Sequence, residues 1–320
     1  MLKICSSALK SFLLLFLFLF FSVSPGLTQT LFLDFNTAGQ YTNNFNPWND
    51  NGGVNGGNYA FAESTTAGVA GSGGVSVFQI TDTTATYKIG SWNFATNGAN
   101  LTLSCMIQAN GTTSGDRTQF GIMNSANNGL NGNTGVAFES YRFLPSSATV
   151  WSLREQFRTN NVNFENILGN VNVVAGHWYK FVIGMTNTSG ASGNYTAACS
   201  IFDYGTTGLT PGANIITFST LATHTNQDIA KTTTVYPGLR AFQDSGIGAW
   251  DNFLVFQSNS APIITLKLTN SFVPTGSSAT FSALADGPGS ISFSWFTNGV
   301  LAVGASNSCR EIPLRISASA

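Results

Sequence analysis

Charge is what this sequence has least of. Only 8% of its 320 residues are Asp, Glu, Lys or Arg, against about 25% in an average soluble protein. Thirteen basic residues against 14 acidic ones exclude a nucleic-acid binder, which needs a cationic surplus to displace counterions from phosphate. The 26 Phe and 6 Trp exclude a disordered polyelectrolyte, whose signature is few aromatics and high net charge. Histidine is confined to His177 and His224, and no Gly-x-Ser-x-Gly elbow occurs, so no nucleophilic triad can be read from the text. Cysteine is nearly missing. Once the leader described next is removed, Cys105, Cys199 and Cys309 remain, which is neither a disulfide framework nor a zinc spacing. Cys105 and Cys199 stand in strand-like runs, either as small buried hydrophobes or, if their strands are neighbours, as a disulfide.

A long apolar run occurs once. Lys3 and Lys10 precede Phe12–Phe21 (FLLLFLFLFF), and a small, polar stretch follows from Ser22 to Thr28. This is the pattern of a secretory signal over residues 1–30. The run is about half of the roughly 20 residues that a spanning helix needs. A secreted or cell-surface chain is expected, with no membrane span after cleavage.

Long helical periodicity is also lacking, because Gly, Asn and β-branched residues recur every few positions. What is present is strand after strand. Leu101, Leu103, Cys105 and Ile107 alternate with Thr102, Ser104, Met106 and Gln108, the period of a half-buried strand. Similar runs recur from Leu31 to Gln257, separated by Asn-Gly pairs and Gly/Ser/Thr/Asn clusters that supply turn conformations. About eleven strands are too many for one open sheet, so the expected fold is all-β, two packed antiparallel sheets over 31–257. A linker is expected at 258–262, where Gln257-Ser-Asn-Ser-Ala-Pro262 carries linker composition. Residues 263–320 read as a second, incomplete sandwich. Ile291-Ser-Phe-Ser-Trp-Phe-Thr-Asn-Gly299 supplies a core Trp295, with apolar Phe281 on the preceding strand.

These motifs, taken in order, carry a resemblance. Leu33-Asp-Phe-Asn36, Gly176-His-Trp-Tyr179, Gly238-Leu-Arg-Ala-Phe242 and Ala249-Trp-Asp-Asn-Phe-Leu-Val255 resemble the first, central and closing strands of concanavalin A-like, laminin G-like jelly rolls. The 263–320 module resembles a truncated bacterial immunoglobulin-like domain. The resemblance implies an exported recognition or adhesive role toward polysaccharide or a cell-surface glycan.

Glycosidases share this jelly roll, and retaining ones need two carboxyl groups about 5–5.5 Å apart. No Glu-x-Asp-x-x-Glu motif occurs. Glu139, Glu155 and Glu165 each lack an acid two or three residues away. The expectation is therefore a non-catalytic binder. A structural spacer of a cell-surface protein, or a hydrolase whose acid pair is assembled from distant strands, are the alternatives. For sugar binding, Trp48 with Asn49 and Asp50 in a Gly-rich stretch has the required mixture of ring and hydrogen-bonding groups, with Tyr41 and Trp92 as secondary candidates. Asp34 in the first strand and Asp251 in the last are the candidate ligands of a structural calcium, which takes oxygen donors. The resembling modules often carry calcium in such positions.

Overall fold

A computed structural model describes residues 30–49, 53–54, 61–78, 82–110, 118–130, 136–209, 214–241 and 247–257. Beyond these it describes six short strand segments between 263 and 317. The chain divides into two compact units, one of residues 25–261 and one of residues 1–24 with 262–320. Residues 1–29 of the expected signal segment, Asp50, Trp295 and Phe281 lie outside the described residues, whereas Thr30 is described.

The larger unit is all-β. Its strands run β1 (Thr30–Leu33), β2 (Phe45–Asn49), β3 (Gly53–Val54), β4 (Phe61–Ser64), β5 (Gly74–Val77), β6 (Thr83–Tyr87), β7 (Asn100–Ala109) and β8 (Thr118–Met123). They continue as β9 (Phe138–Pro145), β10 (Val150–Thr159), β11 (Val162–Asn172), β12 (Trp178–Asn187), β13 (Tyr195–Asp203), β14 (Asn214–His224), β15 (Tyr236–Ala241) and β16 (Ile247–Gln257). One sheet has the order β14-β13-β12-β7-β16-β5-β4, with β1 added on β16. The second has the order β11-β10-β9-β8-β15-β6-β2-β3. Every pairing is antiparallel. In the second unit Ile263–Leu266 pairs Leu284–Asp286, Ser278–Ala279 pairs Ile316–Ser317, and Phe296–Thr297 pairs Val300–Leu301.

Alternation decides which side chains meet between the sheets. Phe253 of β16 stands edge-on to Phe45 of β2 at 5.3 Å and to Phe120 of β8 at 5.7 Å. Phe143 of β9 meets Phe181 of β12 at 5.1 Å. These rings tie one sheet to the other, and each aromatic buried this way contributes about 1.5–3 kcal/mol through area alone. The two cysteines are part of the same core and do not pair. Cys105 lies on β7 and Cys199 on β13, and β12 runs between them. Two strand spacings, about 10 Å, exceed the reach of a disulfide. Burial raises both thiols well above their ordinary range, so they are inert hydrophobes.

The closing strand changes partners at Asp251. Ala249 and Trp250 pair with β5, whereas Phe253 to Phe256 pair with β1. Between them the ladder with β7 is irregular and Asn252 adopts φ +49, the mark of a bulge.

Candidate functional site

The second sheet turns one face to the core and the other outward, and its register lines up the outward side chains. Trp48 is opposite Thr84, Thr84 opposite Arg240, and Arg240 opposite Gln119. Gln119 is in turn opposite Arg142, and Arg142 opposite Arg154. Directly paired residues share a face, so an indole, a hydroxyl, an amide and three guanidinium groups form one row across six strands. At about 4.8 Å per strand the row is roughly 24 Å long. A second row beside it runs Asn46, Thr86, Gly238, Gly121, Ser140, Gln156 and Glu165.

Hydrogen bonds join the two rows. Arg240 pairs in-plane with the Asp82 carboxylate, its Nε donating to Oδ1 at 2.7 Å. Its Nη1 donates to Gln119 Oε1 at 2.7 Å and to the Leu130 carbonyl at 3.0 Å. Gln119 Nε2 donates to Gln156 Oε1 at 2.7 Å and to Ser140 Oγ at 3.3 Å. Glu165 closes the line, accepting from Arg142 and, at 2.7 Å, from Arg154 Nη1. Arg158 follows Arg154 on the same face of β10. Four of the chain's seven arginines thus stand on one sheet face, opposed by Asp82 and Glu165.

The two ends of the row differ in access. The turn preceding Leu130 lies over one end. Thr86 Oγ1 donates to the Asn128 carbonyl, and a Cβ on Gly129 would sit 2.7 Å from the Trp48 ring. Arg240 is only 2% exposed there. At the other end the Arg154 and Glu165 side chains are 30% and 29% exposed. The open end is therefore Arg154, Gln156 and Glu165 on β10 and β11, with the buried Arg142 of β9 paired to Glu165 beside them.

The sequence candidates are scattered by the fold. Trp48 is half-buried and stands on the outward face, on strand β2 rather than in a loop. The Asn49 side chain and Asp50 lie outside the described residues. Tyr41 and Trp92 are corrected from sugar platforms to core. Tyr41 is 4% exposed and stacks on Phe45 at 5.4 Å, because the short helix Gln40–Asn44 turns it inward. Trp92 is 1% exposed, packed against Tyr87 and bridged to Val235.

Asp34 and Asp251 do come together, since β1 pairs β16. Asp251 Oδ2 accepts from Val69 N at 2.8 Å and from Ser72 Oγ at 3.4 Å, and Oδ1 from Asn252 N at 2.6 Å. Burial, helped by the nearby Asp34 charge, pushes its carboxyl up to about 7 despite these donors.

A second acid pair, missed in the sequence, lies inside the sandwich. Glu139 of β9 and Glu155 of β10 point inward to meet Tyr195 of β13 and His224 of β14. Tyr195 OH donates to Glu139 Oε2 at 2.5 Å. His224 Nε2 and Glu155 Oε1 are 2.9 Å apart, and Asn166 Nδ2 donates to Glu155 Oε2 at 2.8 Å. Both carboxyl groups are fully buried. Burial first, then the Glu155 charge, holds Glu139 well above the usual carboxylate range. A polysaccharide cannot lie between these two groups, which are diagonal neighbours on β9 and β10 and fully buried between the sheets. Of the outer rows, Thr84, Arg240, Gln119 and Ser140 are buried, and a polymer can reach the end where Arg154 and Glu165 are partly exposed.

No protein-family model matches this chain, and no curated protein matches its sequence. Solved structures do resemble it. One is a carbohydrate esterase from the Shiga toxin-encoding bacteriophage phi24B, at 11% identity and TM-score 0.41, over 73% of this chain and 100% of that one. Another is tailspike protein 2 of an Escherichia coli O157:H7 bacteriophage, at 13% identity and TM-score 0.39, over 66% of this chain. The match spans only 26% of the tailspike's own length. A third is an alginate lyase from Pseudomonas aeruginosa, at 12% identity and TM-score 0.34, over 62% of this chain and 84% of that one.

The expectation of a non-catalytic chain is corrected here. It rested on the lack of acids close together in sequence. The fold instead assembles Glu139 with Glu155, and Glu165 with two arginines, from separate strands, so the ground for excluding catalysis falls.

Proposed function

We propose that this is an exported, glycan-active β-sandwich that takes an anionic polysaccharide along the outward face of its second sheet. The observation that carries the reading is the register row from Trp48 to Arg154, with four arginines gathered on one face of a charge-poor chain. Guanidinium groups pair with carboxylate or sulfate in bidentate geometry. Amide and hydroxyl groups between them suit sugar hydroxyls, and an indole suits a pyranose face. Thr84, Arg240 and Gln119 in the middle of the row are buried and hold the sheet face in place, so the sugar-contacting part is the end of Arg154, Gln156 and Glu165. At the open end Glu165 stands between Arg142 and Arg154, placed to move a proton at a sugar unit that the guanidinium groups hold.

The laminin G-like resemblance, the immunoglobulin-like reading of residues 263–320 and the signal segment fit the same exported role. A structural calcium held by Asp34 and Asp251 belongs to it too. Both are hard oxygen donors, brought together where the first and last strands pair, and a cation there offsets the burial that raises Asp251.

The test is retention on an immobilised polyuronate against an immobilised neutral glucan, across a salt gradient, with release of reducing ends followed in parallel. Retention on the polyuronate that salt reverses, with release of ends, supports the reading. Equal retention on both polymers, or none, overturns it.

A further inference from the structure

The interior cluster of Glu139, Glu155 and His224 is not used by the proposed glycan face. It is a donor set with a gap. One ligand atom from each residue can be chosen so that all three lie within 4.8 Å of one another. Glu139 Oε1 is completely buried and meets no donor. The group it faces is the Glu155 carboxylate, itself held by His224 Nε2 and Asn166 Nδ2. Two carboxylates pressed together in a dry interior repel each other and need a positive charge between them. A shared proton is one solution and a cation is the other.

We propose that this cluster is a binding site for a first-row divalent transition ion, of which zinc is the type, held by Glu139, Glu155 and His224. The donor chemistry selects the class. One imidazole nitrogen with two carboxylates suits zinc, manganese or iron, whereas calcium takes oxygen donors throughout. Ligand bonds of about 2.0–2.2 Å put the ligand atoms of a tetrahedral ion about 3.4 Å apart. The widest separation here closes by a little over an ångström when such an ion enters.

The surroundings fit. Tyr195 OH, 2.5 Å from Glu139 Oε2, fixes that carboxyl group and stands beside the site as a third oxygen. Asn166 orients Glu155, in the manner of the outer hydrogen bonds that hold metal ligands in place. His224 is sandwiched, stacked on Tyr195 at 4.8 Å and edge-on to Phe157 at 4.7 Å, so its ring is already ordered. The four elements involved belong to both sheets, β9 and β10 to one, β13 and β14 to the other. An ion there joins the sheets as a staple.

The experiment uses tag-free full-length protein, unfolded in chelator and refolded with either zinc or cobalt. The expected result is one ion per chain retained through gel filtration, a higher melting midpoint than in the refolded metal-free protein, and a visible cobalt spectrum of nitrogen and oxygen ligation. Glu139→Gln and His224→Gln nearly conserve volume, and each should lose the ion and the midpoint gain. His177→Gln, at the partly exposed His177–Asp203 pair, should keep both. If a core variant fails to fold, the wild-type protein still decides. Its cobalt complex must shift the ring resonances of His224 and leave those of His177 unmoved. Wild-type protein that retains no ion, an ion that survives in Glu139→Gln or His224→Gln, or unmoved His224 resonances would each overturn the proposal.

Discussion

Trp48 and Arg154 stand at the two ends of one register row that crosses six strands, on the same face of the second sheet. Nothing in their sequence positions, 106 residues apart, hints at this. Pairing fixes it, because a one-residue slip in any ladder would turn its partner's side chain to the core. The row turns isolated polar residues into a surface with direction, and the predictions below probe its parts and its support.

Glu165 separates the binding role of the open end from its chemical role. Glu165→Gln removes a negative charge from between Arg142 and Arg154, so retention on a polyuronate should strengthen. Release of reducing ends should stop. Folding stability should fall by about 1–3 kcal/mol, because Glu165 also pairs with the buried Arg142. Unchanged turnover would remove Glu165 from the chemistry.

Arg240 is the structural anchor of the row. Arg240→Met leaves Asp82, 4% exposed, without its ion pair and Gln119 Oε1 without its donor. Breaking a buried pair from one side costs about 3–5 kcal/mol, read as a lower urea midpoint. Asp82→Asn combined with Arg240→Met should recover part of the loss, because no charge is then stranded.

Asp251 gives the fold a pH dependence of definite sign. Its folded-state pKa is raised from 3.8 to about 7, so between these values the native state holds more protons than the unfolded one. Its contribution therefore weakens stability as pH rises through that window. In chelator, Asp251→Asn should flatten the fall in melting midpoint between pH 4 and 7 relative to wild type. Added calcium at pH 7 should raise the midpoint of wild type and leave Asp251→Asn unmoved. No calcium shift in wild type would remove the ion from Asp34 and Asp251.

Phe253 tests the inter-sheet core independently of the surface. It touches Phe45 and Phe120 of the opposing sheet, and Phe253→Ala should cost about 3–5 kcal/mol through lost burial and the cavity left behind.

The two-sheet architecture was legible because most strands alternate. Leu101 to Gln108, for instance, are read correctly as one core-lining strand. Strands β11 and β14 were not read. Both are edge strands, and the side chains of Val162–Glu165 are exposed, so no alternation marks β11. Those two strands supply Glu165, Asn166 and His224, the residues that complete both clusters. A search for acids near one another in sequence could not find Glu139 and Glu155, which are diagonal neighbours on adjacent strands. The aromatic candidates failed for a different reason. Composition marks Tyr41 and Trp92 as polar-flanked rings, and only packing shows that they point inward.

The central claim is that the arginine row recognises an anionic polymer. The most direct measurement compares wild type with the double variant Arg142→Gln, Arg154→Gln on immobilised polyuronate at low and high salt. Wild type should be retained at low salt and released as the charges are screened, and the variant should pass through at both, with an unchanged circular dichroism spectrum. Wild-type-like retention by the folded double variant would contradict the account.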